Sequence, residues 1–255
     1  MNTPTYDQVS TYLEKIIMDY TISRAKLLKE NSWQENDARI VIFTKGIRVM
    51  NGIQIGFSHF SRDLRKDDWW KTRYPKHTVT SKNKQLLMED FDNLLRSALI
   101  VETYGIFEST VRIIANSYSS KIFPDVTINF SQIYRKFLNE LQLQKFVPLV
   151  KIWSNIRNSI HNDSHFIPPK KQEQNPNIDY DGHAYKFRAE KPIIYAGWKD
   201  LCELSYELGK ATHQIITSEK ISSILFIEEP GSKYWHLKKK TRSELENLFD
   251  ENSQS

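Results

Sequence analysis

The stretch from residue 152 to residue 165 reads Ile-Trp-Ser-Asn-Ile-Arg-Asn-Ser-Ile-His-Asn-Asp-Ser-His, and the rest of the chain is interpreted around it. Its apolar residues recur at spacings of three and four, which is typical of a helix with one packed face: Ile152, Trp153, Ile156 and Ile160. As a helix, the stretch places Arg157 and His161 about 40° apart around the axis. A permanently charged guanidinium then lies beside an imidazole, the side-chain type that titrates near neutral pH. This combination indicates a functional site.

The six residues from 157 to 162, Arg-Asn-Ser-Ile-His-Asn, resemble the signature of HEPN domains. These are all-helical modules, and many of them are metal-independent RNases of defence and toxin–antitoxin systems. The context is similar too, because a long helix carrying Glu108 precedes the motif. A hairpin formed by Tyr185-Lys-Phe and Pro192-Ile-Ile-Tyr is predicted after it, followed by an amphipathic helix from Trp198. The resemblance covers residues 85–218.

The resemblance implies a metal-independent endoribonuclease without a cofactor. Such an enzyme deprotonates a ribose 2′-hydroxyl, stabilises a charged transition state at phosphorus and protonates the leaving 5′-oxygen. His161 would transfer protons, and Arg157 would hold the phosphate oxygens with its planar set of donors. Asn158, Asn162 and Glu108 would support these two residues.

The resemblance also implies partners. RNA would be the substrate, and HEPN domains commonly form homodimers in which the motif helices face each other. An antitoxin or a nucleotidyltransferase would be a further partner. The family's RNases usually have a longer spacer between Arg and His, whereas three residues separate Arg157 from His161. The alternative function is therefore a catalytically inactive HEPN-like scaffold that binds a protein or a nucleic acid.

Glu108 raises a separate question, because a carboxylate on a packed helix face needs a partner. The face of the long helix is predicted to contain Leu94, Ala98, Val101, Gly105 and Glu108. Arg157 is the preferred partner of Glu108, and Arg112, one helical turn further on, is the alternative.

Two other interpretations of the motif stay open. His161 and His165 are four residues apart with Asp163 between them, which is compatible with a metal site, but no glutamate or cysteine completes it. Arg157 and His161 would otherwise be structural, with Arg157 paired to Glu108 and His161 capping a turn.

The predicted fold class is all-α: an HEPN-like antiparallel helical bundle with an N-terminal helical extension and a small β-hairpin insertion. The corresponding domains are residues 1–82, 83–218 and 219–255. Helices are predicted over 6–29, 38–60, 84–117, 130–146, from about 148 through the motif, and from 198 onward. Residues 53–57 alternate in polarity and would also suit a short strand. Residues 221–227 would form a strand or extend the last helix.

Composition limits the class of protein. Of 255 residues, 39% are hydrophobic and 26% charged, and no apolar run reaches the length of a membrane span. The single cysteine, Cys202, and the absence of a signal-peptide pattern favour a cytoplasmic location. The net charge of +5 tolerates a polyanionic partner without requiring one.

The adjacent residues Trp69 and Trp70 could stack nucleobases, but anchoring the loop by burial is the favoured interpretation.

Overall fold

The computed structural model describes residues 6–75, 79–123, 129–160, 162, 164–168 and 173–231. These ranges contain α1 (Tyr6–Asn31), α2 (Ala38–Arg62), α3 (Asp67–Arg73), α4 (Ser81–Tyr118), α5 (Phe130–Glu140), α6 (Val147–Ile160), α7 (Trp198–Thr217) and α8 (Glu219–Ser222), and the strands β1 (Asn177–Tyr180) and β2 (His183–Lys186). The helices pack antiparallel, which confirms a mostly helical architecture with a small hairpin. None of these helices combines the length and the apolarity that crossing a membrane requires.

Local sequence signals explain three of the helix starts. The side chains of Asp37, Thr80 and Asn129 accept hydrogen bonds from backbone N–H groups at the starts of α2, α4 and α5. The strand alternative for residues 53–57 is wrong, because these residues lie inside α2. The helix predicted over 130–146 is also too long. It ends at Glu140, Gln142 has a φ of 58°, and a short 3₁₀ turn leads into α6.

The hairpin forms earlier in the chain than predicted. Its strands pair from Asn177 opposite Lys186 to Tyr180 opposite His183. The turn is Asp181-Gly182, with φ values of 49° and 76°, which suit a tight two-residue hairpin. Residues 192–195, predicted as the second strand, instead follow the segment after α6: His165 forms an isolated bridge with Pro192.

One hydrophobic core contains side chains from the N-terminal helices and from α4 to α7. Tyr20 of α1 illustrates how closely these helices approach. Its ring is wedged against Gly46 of α2 and Gly209 of α7, and its hydroxyl donates to the carbonyl of Ser205 over 3.3 Å. Burial raises the pKa of the Tyr20 phenol. The predicted domain boundaries at residues 82 and 218 stay predictions.

Two glycines of α2 allow the tyrosine wedge to be tested. A Cβ at Gly46 would lie 2.5 Å from the Tyr20 ring, which cannot swing away because Gly209 holds its other side. We expect Gly46→Ala to lower the free energy of unfolding by about 1–3 kcal/mol. A Cβ at Gly52 meets nothing within 4 Å, so Gly52→Ala is expected to raise it by about 0.5–1 kcal/mol. Urea unfolding of both variants measures the difference, and equal changes would contradict the wedge.

The segment after α7 is neither a strand nor an extension of α7. After α8 it runs beside the start of α2, where Asp37 forms an isolated bridge with Glu228. Arg39 and Asp37 are fully buried there and form an ion pair of 2.6 Å. The remaining Arg39 donors reach carbonyl oxygens of this segment, those of Ile221, Ile224 and Leu225. The segment is thereby held to α2.

The adjacent tryptophans support the anchoring interpretation. Trp70 is buried, and its indole N–H donates to the carbonyl of Leu64 over 2.6 Å. Trp69 is half-buried, with its ring 5.8 Å from that of His59. The tryptophans therefore fasten α3 to the end of α2.

Candidate functional site

Helix α6 is a rigid base for the motif. Ile152, Trp153 and Ile156 are fully buried, as the periodicity predicts, and the Trp153 indole N–H donates to the Leu204 carbonyl of α7 over 3.2 Å. Ser159 is buried as well, with its hydroxyl bonded to the Asn155 carbonyl. The backbone that carries Arg157 is therefore fixed by packing on one side.

The helix ends earlier than predicted, at Ile160. The Asn162 backbone N–H donates to the Ser159 carbonyl, and its side-chain amide donates to the Asn158 carbonyl over 3.1 Å. Asn162 thus satisfies carbonyl groups that the last helical turn leaves without partners. Ser164 has a φ of 63°, which turns the chain away from the helix axis. His161 and Asp163 lie outside the described residues.

Arg157 is half-buried at the surface end of α6. Its Nη1 donates to Oδ1 of the exposed Asn158 over 3.1 Å. Among the described residues, no carboxylate lies within ion-pair distance of Arg157. Most of its guanidinium donors are therefore available to another acceptor, and an anion is the acceptor that they fit best.

Glu108 does not form the preferred ion pair with Arg157. Its Oε1 accepts from Nε and Nη2 of Arg112, at 3.1 and 2.8 Å. The alternative partner is therefore the observed one, because a residue one turn away on the same helix is reached without bridging two helices. The Arg112 guanidinium carbon also lies 5.2 Å from the ring centroid of Phe130.

Tyr104 lies where α4, which carries Glu108, meets α6, which carries Arg157. It is buried on α4, one helical turn before Glu108, and its hydroxyl lies close to Ser154 of α6. Burial raises the pKa of the Tyr104 phenol; the Ser154 hydroxyl and the Arg157 charge oppose this rise, and the Glu108 charge adds to it. The charges of Glu108 and Arg157 therefore shift the pKa of the same phenol in opposite directions, although the two residues are not bonded to each other.

Sequence reasoning missed Tyr104 and Ser154. Their spacings could have identified them, because Tyr104 precedes Glu108 by four residues and Ser154 precedes Arg157 by three. The candidate site is accordingly a surface formed by α4 and the end of α6. Arg157 supplies its cation, and Tyr104 and Ser154 lie where the two helices meet.

The predicted packed face of α4 is wrong. Leu94 is 62% exposed and Val101 is 38% exposed, and Gly105 is exposed as well. The buried face contains Leu95, Leu99, Thr103, Tyr104 and Phe107. Because apolar residues occur on more than one side of α4, its periodicity alone does not identify the side that faces the core.

A metal site finds no support within the described part of the chain. No group of three or more His, Cys, Asp or Glu side chains there could hold a metal ion. The alternative built on His161, Asp163 and His165 depends on two residues outside the described ranges.

A groove of about 700 Å³ lies elsewhere, between α2, α3 and the first half of α4. Phe57, Phe60 and Trp198 contribute its apolar wall. Two ion pairs lie at its rim, Lys84 with Asp67 and Arg96 with Asp92. The predicted site residues do not line this groove.

A scan against models of protein families finds no match for the chain, and searches of curated proteins and of solved structures find none either. The resemblance to HEPN domains therefore stays a prediction from the motif residues.

Proposed function

We propose that the protein is a metal-independent endoribonuclease of the HEPN type that acts in a prokaryotic defence or toxin–antitoxin context. One observation carries this proposal: Arg157 stands half-exposed at the end of a rigid helix, and its described hydrogen bond goes to an amide instead of a carboxylate. The remaining donors of its guanidinium suit the oxygens of a phosphate. Glu108, the acid predicted as its partner, is bonded to Arg112.

The chemistry follows from the residue types. The ribose 2′-oxygen attacks the adjacent phosphorus as His161 accepts its proton, and the bond from phosphorus to the 5′-oxygen breaks. The products are a 2′,3′-cyclic phosphate and a 5′-hydroxyl, which takes up one proton. Arg157 stabilises the negative charge that develops on the phosphate oxygens. Asn158 orients the Arg157 guanidinium, and Asn162 holds the end of α6.

Partners follow from the same proposal. One histidine cannot easily be both base and acid in a single turnover, and a homodimer with two motif helices would supply a second. RNA is the proposed substrate, and an antitoxin or nucleotidyltransferase would regulate the activity. Glu108 would support the site through its ion pair with Arg112.

The test uses purified protein and single-stranded and structured RNA in the presence of EDTA. We expect cleavage that leaves 2′,3′-cyclic phosphate ends, read by mass spectrometry of the fragments. An RNA with a single 2′-deoxy nucleotide at the mapped cleavage position should resist cutting there, because the nucleophile is absent. This substrate change leaves the protein intact and therefore does not affect folding.

Three results would count against the proposal: no cleavage of any RNA, cleavage that EDTA abolishes, or cleavage that continues at the 2′-deoxy position. Tight RNA binding without cleavage would instead favour the inactive scaffold.

A further inference from the structure

The groove between α2, α3 and the first half of α4 has the size of a ligand site. Its volume of about 700 Å³ lies within the range of about 300–1,000 Å³ that is typical of small-molecule sites. Its apolar wall contains Phe57, Phe60, Met88 and Trp198, and the rest of its lining is polar or charged. An apolar wall with a few polar groups is the usual composition of such a site.

Hydrogen bonds hold one side of the groove in place. Asp92 of α4 accepts from the Trp198 indole N–H over 2.7 Å and from Nε of Arg96 over 2.9 Å. Nη1 of Arg96 donates to the carbonyl of Ala196, just before α7, over 3.0 Å. The start of α7 is thereby tied to α4. This wall is therefore formed in the free protein, which lowers the entropic cost of binding a ligand.

Two ion pairs account for four of the charged side chains in the lining. Lys84 of α4 pairs with Asp67 of α3, and the Lys84 side chain is only 21% exposed. Arg96 and Asp92 form the second pair, and their side chains are 27% and 23% exposed. These four charges are matched within the protein, so they do not select the charge of a ligand.

Two further charged side chains of the lining, Arg65 and Glu89, have no ion-pair partner among the described residues. Arg65 is exposed, and its guanidinium carbon lies 5.5 Å from the centroid of the Phe60 ring. Glu89 is exposed as well, and its Oε1 accepts a hydrogen bond from Gln85 over 2.9 Å. The groove therefore offers a ligand one cation and one anion beside an apolar wall.

We propose that the groove binds a zwitterion with an aromatic side chain, the chemistry shared by a free aromatic amino acid and a short peptide. The ligand carboxylate pairs with the Arg65 guanidinium, whose planar donors fit two carboxylate oxygens. The ligand ammonium pairs with Glu89. The ring lies against the wall containing Phe57, Phe60 and Trp198, because aromatic rings attract one another beyond their apolar burial. A zwitterion matches both unpaired charges, whereas a ligand with one charge leaves the other unmatched.

Equilibrium dialysis against the intact protein tests the chemistry of the ligand. The probes are phenylalanine and the dipeptide phenylalanyl-leucine, and we expect at least one to bind with a Kd below about 1 mM. The tighter probe shows whether a free amino acid or a peptide is preferred. That probe is then compared with its N-acetylated form, its C-terminal amide and the analogue with alanine in place of phenylalanine. Each of these changes removes one recognised group and should weaken binding at least tenfold.

Substitutions in the protein should give a crossed pattern. Arg65→Gln is expected to weaken the tighter probe at least tenfold but not its amide, which has no carboxylate. Glu89→Gln should weaken the same probe but not its acetylated form, which has no ammonium. Both side chains are exposed, so circular dichroism should stay unchanged. Arg73→Gln and Glu102→Gln are the matched controls, because these exposed residues do not line the groove and should not affect binding.

A Kd above about 1 mM for both probes would overturn the proposal. Equal binding of the acetylated or amidated form would also overturn it, as would unchanged binding in Arg65→Gln or Glu89→Gln. Loss of binding in either control variant would place the site elsewhere. The proposal does not depend on the nuclease activity, and none of these measurements uses RNA, so the two fail separately.

Discussion

Replacing Arg39 with methionine is expected to lower the free energy of unfolding by about 3–5 kcal/mol, the range for breaking a buried ion pair. Arg39 and Asp37 are both completely buried. Methionine has a similar length but no donors. The Asp37 carboxylate would be left in the interior without its counter-charge, which is costly.

Every donor of the Arg39 guanidinium is occupied, which is why the loss should be so large. Nε and Nη2 donate to the two carboxylate oxygens of Asp37, at 2.9 and 2.6 Å. The other donors reach the carbonyl oxygens of Ile221, Ile224 and Leu225 at 2.9, 2.8 and 3.5 Å. The substitution therefore removes the counter-charge of Asp37 and leaves three carbonyl groups without this donor.

Lys26→Met is the control for Arg39→Met. Lys26 is 59% exposed and contacts Glu30 at 3.9 Å, so its loss should change the free energy of unfolding by about 0.5 kcal/mol or less. Urea unfolding followed by circular dichroism compares the two variants. A similar small loss for Arg39→Met would show that the buried pair contributes little beyond its burial cost.

His161→Ala is expected to lower the RNA cleavage rate by about 10²–10⁴-fold, because it removes the group that transfers protons. Arg157→Ala should lower the rate by about 10²–10³-fold by removing charge stabilisation at the phosphate. Arg157→Lys should restore part of this loss, since lysine keeps the charge but not the planar pair of donors. Single-turnover cleavage of one labelled RNA measures all three variants.

The controls distinguish the roles of neighbouring residues. His183→Ala removes an exposed histidine of β2 and should leave the rate unchanged. Glu108→Gln should change it only slightly, because Glu108 is bonded to Arg112 instead of Arg157. A loss in Glu108→Gln as large as in Arg157→Ala would show that Glu108 acts directly on the reaction. Full activity of His161→Ala would exclude His161 as the proton-transfer group.

Local periodicity predicted the helices well. The packed face of α6 follows directly from the spacing of Ile152, Trp153 and Ile156, because burying such a stripe is what stabilises a helix in a protein. Asp181-Gly182 is a dipeptide that favours a tight hairpin turn, but the strands around it are too short to show a pattern. Arg157 was identified from its motif, and it lies half-buried at the end of α6.

Interactions distant in the sequence were not predictable. Nothing near Arg39 indicates that, besides Asp37, its partners are backbone carbonyls more than 180 residues later. The pairing of Glu108 was assigned to another helix, although the same-helix partner Arg112 costs less conformational freedom. The row of apolar residues containing Leu94 and Val101 looks like a core face in the sequence although both side chains are exposed, because the pattern records apolarity and not what covers it.

The hydrogen bonds from Arg39 to the carbonyl groups of residues 221–225 affect how the chain folds during translation. On the ribosome, α1 and α2 leave the exit tunnel long before the carbonyl groups that accept these hydrogen bonds. Until then we expect the start of α2 to stay hydrated, because burying the Arg39 guanidinium without acceptors for all of its donors is costly. The nascent chain therefore completes its core only after nearly all of the described sequence has been translated.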